Sequence, residues 1–78
     1  MKNVIIYSTP SCHYCRLAKD FFTANSIVYI EHNVASDLEK RKEMVEKSGQ
    51  MGVPVIIIDN EIVVGFDKPE LAKMLGLV

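Results

Sequence analysis

The chain begins with a short apolar run, KNVIIYS (residues 2–8), stopped by Thr9-Pro10-Ser11. A run of that length ending in a proline-containing polar segment predicts a buried strand followed by a loop. The period then changes. Leu17, Phe21 and Ala24, with Ala18 and Phe22 beside them, recur at helical spacing and predict a helix from the cap Ser11 to about Asn25. VYIEHNV (28–34) alternates and predicts a second strand. Residues 36–48 predict a helix opened by Ser36, with Glu39 three residues on, and closed by Gly49. Its stretch EKRKE is mixed in sign and reads as a solvated face, with Glu43 and Lys47 in favourable i,i+4 order.

PVIIID (54–59) and EIVVGF (61–66), meeting at Asp59-Asn60, predict a β-hairpin. Asp67, with Pro69 in the first turn and Glu70 three residues on, opens a last helix carrying Leu71, Met74 and Leu75. The order is β-α-β-α-β-β-α. A right-handed crossover makes the first two strands parallel, and the hairpin contributes an antiparallel pair. The expected fold is α/β, a four-stranded mixed sheet flanked by three helices on its two faces. Residues 1–78 are expected to form one domain, since 78 residues barely supply a single core.

With 49% hydrophobic and 24% charged residues and a net charge of −1, the composition is that of a folded globular protein. No basic stripe is present to displace phosphate counterions, so nucleic acid is not an expected partner. The start MKNVIIYSTP lacks a signal-peptide core and cleavage site, and no apolar run approaches the roughly 20 residues that span a bilayer. The expected location is therefore the cytoplasm, with no membrane partner. Thiols are kept reduced there, which argues against a structural disulfide.

That changes the meaning of the two cysteines, Cys12 and Cys15, which stand in Cys12-His13-Tyr14-Cys15 where strand meets helix. A C-x-x-C in this position suits redox chemistry. Unpaired N–H groups and the positive end of the helix dipole favour a thiolate at Cys12, the expected nucleophile. Cys15, one turn on and more buried, is placed to resolve the mixed disulfide that Cys12 forms. His13, when protonated, would add positive charge beside Cys12. Tyr14 is expected to be exposed and available to line a groove. Two inert core thiols would prefer apolar neighbours, and a metal knuckle would need two further ligands where only His13 and His32 are on offer. A metal site shared between two monomers stays open.

Taken together, Tyr7-Ser8, Cys12-His13-Tyr14-Cys15, Gly49-Gln50, Val53-Pro54 and Gly65-Phe66-Asp67 resemble, in order and over nearly the whole chain, the glutaredoxin family of the thioredoxin fold. The resemblance implies a thiol-disulfide oxidoreductase that reduces protein disulfides through a Cys12-Cys15 dithiol/disulfide couple. It implies a cis bond at Val53-Pro54 and a substrate groove formed by Tyr14, Val53, Pro54, Gly65 and Asp67. No bound cofactor or metal is expected, and the protein is expected to be a monomer. Electrons would come from glutathione or from a thioredoxin-reductase-type flavoenzyme.

Three positions depart from the family pattern. Thr9 stands where a lysine is usual, Gly52 replaces a threonine, and Val64-Gly65-Phe66-Asp67 replaces G-G-C-D. Gly65-Phe66 followed by Pro69 resembles instead the glutaredoxin-like redoxins that serve ribonucleotide reductase and draw on thioredoxin reductase. The alternative from another class is an iron-sulfur or other metal carrier using Cys12 at a dimer interface.

Overall fold

The computed structural model describes residues 2–77. Its elements are β1 (Val4–Ser8), α1 (His13–Ala24), β2 (Ile30–Asn33), α2 (Leu38–Ser48), β3 (Val55–Ile58), β4 (Glu61–Val64) and α3 (Lys68–Met74). The sheet order is β2-β1-β3-β4. β1 pairs parallel with β2, while β3 runs antiparallel to both β1 and β4. The predicted mixed sheet and element order are those observed.

Strand periodicity divides the core in two. Val4 and Ile6 of β1, Ile56 and Ile58 of β3, and Ala18, Phe22 and Leu71 of α1 and α3 form one buried cluster. Tyr7, Val55 and Ile57, with Val34 and Met44, form the other beneath α2. All four residues of β3 are buried because both of its faces are covered. Among the described residues no helix is long and apolar enough to cross a membrane.

Several boundaries differ from the sequence expectation. Asp37, not Ser36, caps α2, its Oδ1 accepting the Lys40 N–H at 3.1 Å. Ser36 instead turns its own N–H and hydroxyl to the Asn33 carbonyl. β2 spans only the four residues that find partners on β1, from Ile5↔Ile30 to Ser8↔Asn33. β4 stops at Val64 because Gly65 adopts φ +81°, a left-handed backbone that a strand cannot continue through.

The face read as plainly solvated also does structural work. Tyr7 is fully buried, and its hydroxyl donates to Glu43 Oε1 at 3.1 Å. Lys40 and Lys47 each reach the same carboxylate at 3.0 Å. The two ammonium groups, joined by the Tyr7 hydroxyl, hold the Glu43 carboxyl down at about 2, against the cost of its partial burial. Burial, and then Glu43, push the Tyr7 phenol up to about 12.

A folded-state carboxyl held below its ordinary value adds stability above the unfolded pKa of about 4.3. That contribution is lost as pH falls through the folded value. Glu43→Gln should therefore cost about 0.5–1 kcal/mol near neutral pH, discounted for a site one-third exposed. The cost should shrink as pH falls from about 4.3 toward 2. Urea unfolding across that range checks it, and a cost independent of pH would mean the charge is irrelevant.

Candidate active site

β1 carries the chain to Ser8, and Thr9-Pro10-Ser11 turn it into α1. The helix is capped one residue later than the sequence suggested. Cys12, at φ −85° and ψ 115°, is the N-cap, and its Sγ accepts the Cys15 N–H at 3.1 Å. Ser11 is exposed and leaves that role to the sulfur. A thiol in the capping position faces the unpaired N–H groups and the positive end of the helix.

The two thiols are free and unequal: Cys12 is half-buried and Cys15 is fully buried. Burial, and next its hydrogen bond with Cys12, push the Cys15 thiol up to about 12, opposed by the Thr9 backbone and by Lys19. Cys15 therefore holds its proton while Cys12 faces the surface. A half-buried sulfur and a fully buried, protonated one lie one turn apart.

The other predicted residues fall into three places. His13 and Tyr14 form the first turn of α1, both exposed, their rings edge-on at 5.4 Å. Tyr14 is 59% exposed. The Val53-Pro54 bond is cis, and Pro54 is buried. Because Tyr7 pairs with Val55 and Val55 with Val64, the residues that follow or precede them, Ser8, Pro54 and Gly65, meet at one end of the sheet. The Gly65 N–H donates to the Pro54 carbonyl at 2.8 Å, tying the two together. That end also launches the segment leading to Cys12.

Asp67 is exposed and caps α3, its Oδ1 accepting the Glu70 N–H at 3.2 Å. One of its oxygens thus has a structural task. Phe66 packs edge-on against Phe21, 6.2 Å between ring centres, on the α1–α3 side of the sheet. Among the described residues no three His, Cys, Asp or Glu side chains are grouped to hold a metal ion.

One set of residues was missed from the sequence. Ser8, only 1% exposed, donates its hydroxyl to Glu31 Oε2 at 2.6 Å, and Lys19 Nζ reaches the same oxygen at 2.8 Å. The signal was the four-residue spacing from Cys15 to Lys19, which puts both on one strip of α1.

Comparison with known proteins places the chain and its fold. The family model for glutaredoxin matches residues 4–63. An uncharacterized glutaredoxin-like 8.6 kDa protein in a rubredoxin operon of Clostridium pasteurianum is 46% identical over 70 residues, covering 90% of this chain and 93% of that protein. Glutaredoxin 3 of Escherichia coli K12 is 36% identical over 67 residues, covering 86% of this chain and 81% of its own. The crystal structure of a mutant thioredoxin-like protein superposes with a TM-score of 0.92 at 29% identity, covering both chains completely.

Proposed function

This chain belongs to the glutaredoxin family, and we propose that it is a cytoplasmic two-cysteine thiol-disulfide oxidoreductase acting on protein disulfides. The observation that carries this reading is the pairing of a helix-capping, surface-facing Cys12 with a buried, protonated Cys15.

In the first step the Cys12 thiolate attacks one sulfur of R–S–S–R′. A Cys12–S–S–R bond forms, the substrate bond breaks, and R′S⁻ leaves and takes up a proton. In the second, Cys15 gives up its proton and its thiolate attacks Cys12 Sγ. The Cys12-Cys15 disulfide forms, and RS⁻ leaves and takes up a proton. The protein is oxidised by two electrons and the substrate becomes two thiols.

The cis Val53-Pro54 segment, stitched to Gly65 at the same end of the sheet, offers extended backbone to a peptide, with Tyr14 as an exposed apolar wall.

For the return of electrons, a thioredoxin-reductase-type flavoenzyme with NADPH suits the groove better than glutathione. Thr9 offers no cation to a glutathione carboxylate, Gly52 removes a hydroxyl, and Asp67 already spends one oxygen on its helix. NADPH consumption with a disulfide substrate should be faster with the flavoenzyme than with glutathione plus glutathione reductase. Thr9→Lys should raise the glutathione-driven rate by a few-fold at most, since an exposed ion pair contributes about 0.2–1 kcal/mol. Efficient glutathione turnover by the unmodified protein, with none from the flavoenzyme, overturns this choice of donor.

A further inference from the structure

We propose that Lys19 is a positioning residue for the second half of the exchange: its ammonium, clamped by Glu31 on the sheet, stabilises the Cys15 thiolate as it attacks the Cys12 mixed disulfide. The inference rests on the two-cysteine reading and adds to it a side chain that favours the buried thiolate.

Cys15 is fully enclosed, and its thiol lies far above neutrality. Left alone it would resolve slowly, because the attacking species is the thiolate. Beyond burial, Cys12 on its own helix disfavours that thiolate; the Thr9 backbone, from the loop after β1, favours it, and Lys19 favours it to a lesser degree. Lys19 in turn faces Glu31 and Tyr29 from the β2 side.

Helical spacing of four places Lys19 on the Cys15 strip, yet a free lysine would extend its head into water. Here the head is drawn instead to Glu31 on β2, at a site still open to water. Ile6 pairs with Glu31, and Ser8 lies two residues along β1, so strand alternation puts Glu31 and Ser8 on the face that Ile6 shares with α1. There Glu31 Oε2 takes both the Ser8 hydroxyl, at 2.6 Å, and the Lys19 ammonium, at 2.8 Å. A buried hydroxyl at the end of β1 orients a carboxylate, and the carboxylate fixes the cation. The pair is partly open to solvent, with Lys19 29% and Glu31 38% exposed at their side chains.

In the assisted step the Cys15 proton passes to solvent base, the Cys15 Sγ–Cys12 Sγ bond forms and the Cys12–S–S–R bond breaks. RS⁻ takes a proton back from solvent, and Lys19 keeps its own throughout. No further oxidant or reductant is required.

The test separates the two halves of the reaction. Reduced protein is mixed with a disulfide-containing peptide, quenched with an alkylating reagent, and followed by mass for formation and decay of the mixed disulfide across pH. Formation should be the same in Lys19→Gln and the unmodified protein. Decay in Lys19→Gln should be about tenfold slower near neutral pH, its profile moved up by about one unit, the low end of what a nearby opposite charge does. Lys19→Arg should keep the original profile, and so should Lys42→Gln, which removes an equal charge from the exposed face of α2. Thermal melting verifies that each variant is folded.

A Lys19→Gln decay profile coinciding with the unmodified one overturns the inference while leaving the two-cysteine reading intact. So does a Lys19→Arg profile as displaced as that of Lys19→Gln. A mixed disulfide that never forms in the unmodified protein removes both.

Discussion

Cys12→Ser is expected to return disulfide reduction to the uncatalysed rate, and Cys15→Ser to leave the protein stalled on its substrate. The two outcomes differ because the two sulfurs sit differently. Cys12 is half-buried at the helix N-terminus, with a backbone N–H 3.1 Å from its sulfur, whereas Cys15 is fully buried and its thiol is pushed up to about 12. A serine hydroxyl at position 12 could still cap α1, so the fold should survive while the nucleophile is lost. With serine at position 15 the first attack proceeds, no resolving thiolate follows, and a covalent complex through Cys12 accumulates. Mass spectrometry of non-reduced samples reads both variants. Complexes held through Cys15 in the Cys12→Ser protein would reverse the assignment.

Phe22→Ala should be the most damaging change away from the cysteines. The ring is fully buried among Val4, Ile6, Ala18, Ile56, Ile58 and Leu71, with Phe21 and Tyr29 at 6.0 and 5.4 Å between ring centres. Truncating such a ring costs about 3–5 kcal/mol, through lost burial and the cavity left behind. A chain of 78 residues has a total stability of only about 4–12 kcal/mol. At about 4–8 °C per kcal/mol, the melting temperature should fall by roughly 12–40 °C, or the domain should fail to fold. Leu38→Ala, at a side chain 71% exposed, should change stability by no more than about 0.5 kcal/mol. Equal shifts for the two variants would mean that the core does not lie where the buried cluster places it.

The sheet and its helices were legible because each element carries one dominant period. The α1 strip of Ala18, Phe21 and Phe22 and the β3 run Val55–Ile58 admit few other readings, and Asp67 before Pro69 marks a helix start. Boundaries were less legible where two capping residues compete. Asp37 displaced Ser36, and Cys12 displaced Ser11, because cap choice depends on where the preceding turn delivers the chain.

The cysteine pair stood out by local spacing alone. Glu31 and Ser8 did not, because they are separated by 23 residues and meet only through the parallel register of β1 and β2. The same holds for Tyr7 and Glu43, 36 residues apart and joined by α2 folding back over the sheet. Local patterns exposed the cysteine pair; the groups packed around it depend on the tertiary fold.

The proposed Cys12-Cys15 couple would cycle between dithiol and disulfide as it reduces another protein's disulfide. The most direct measurement is the intact mass of fully reduced protein after a single exposure to a disulfide-containing protein, with every remaining thiol alkylated at the quench. The account predicts a chain two hydrogens lighter that carries no alkyl group, alongside a substrate with two newly alkylated cysteines. A chain that emerges alkylated at both Cys12 and Cys15, beside an unchanged substrate, would contradict it.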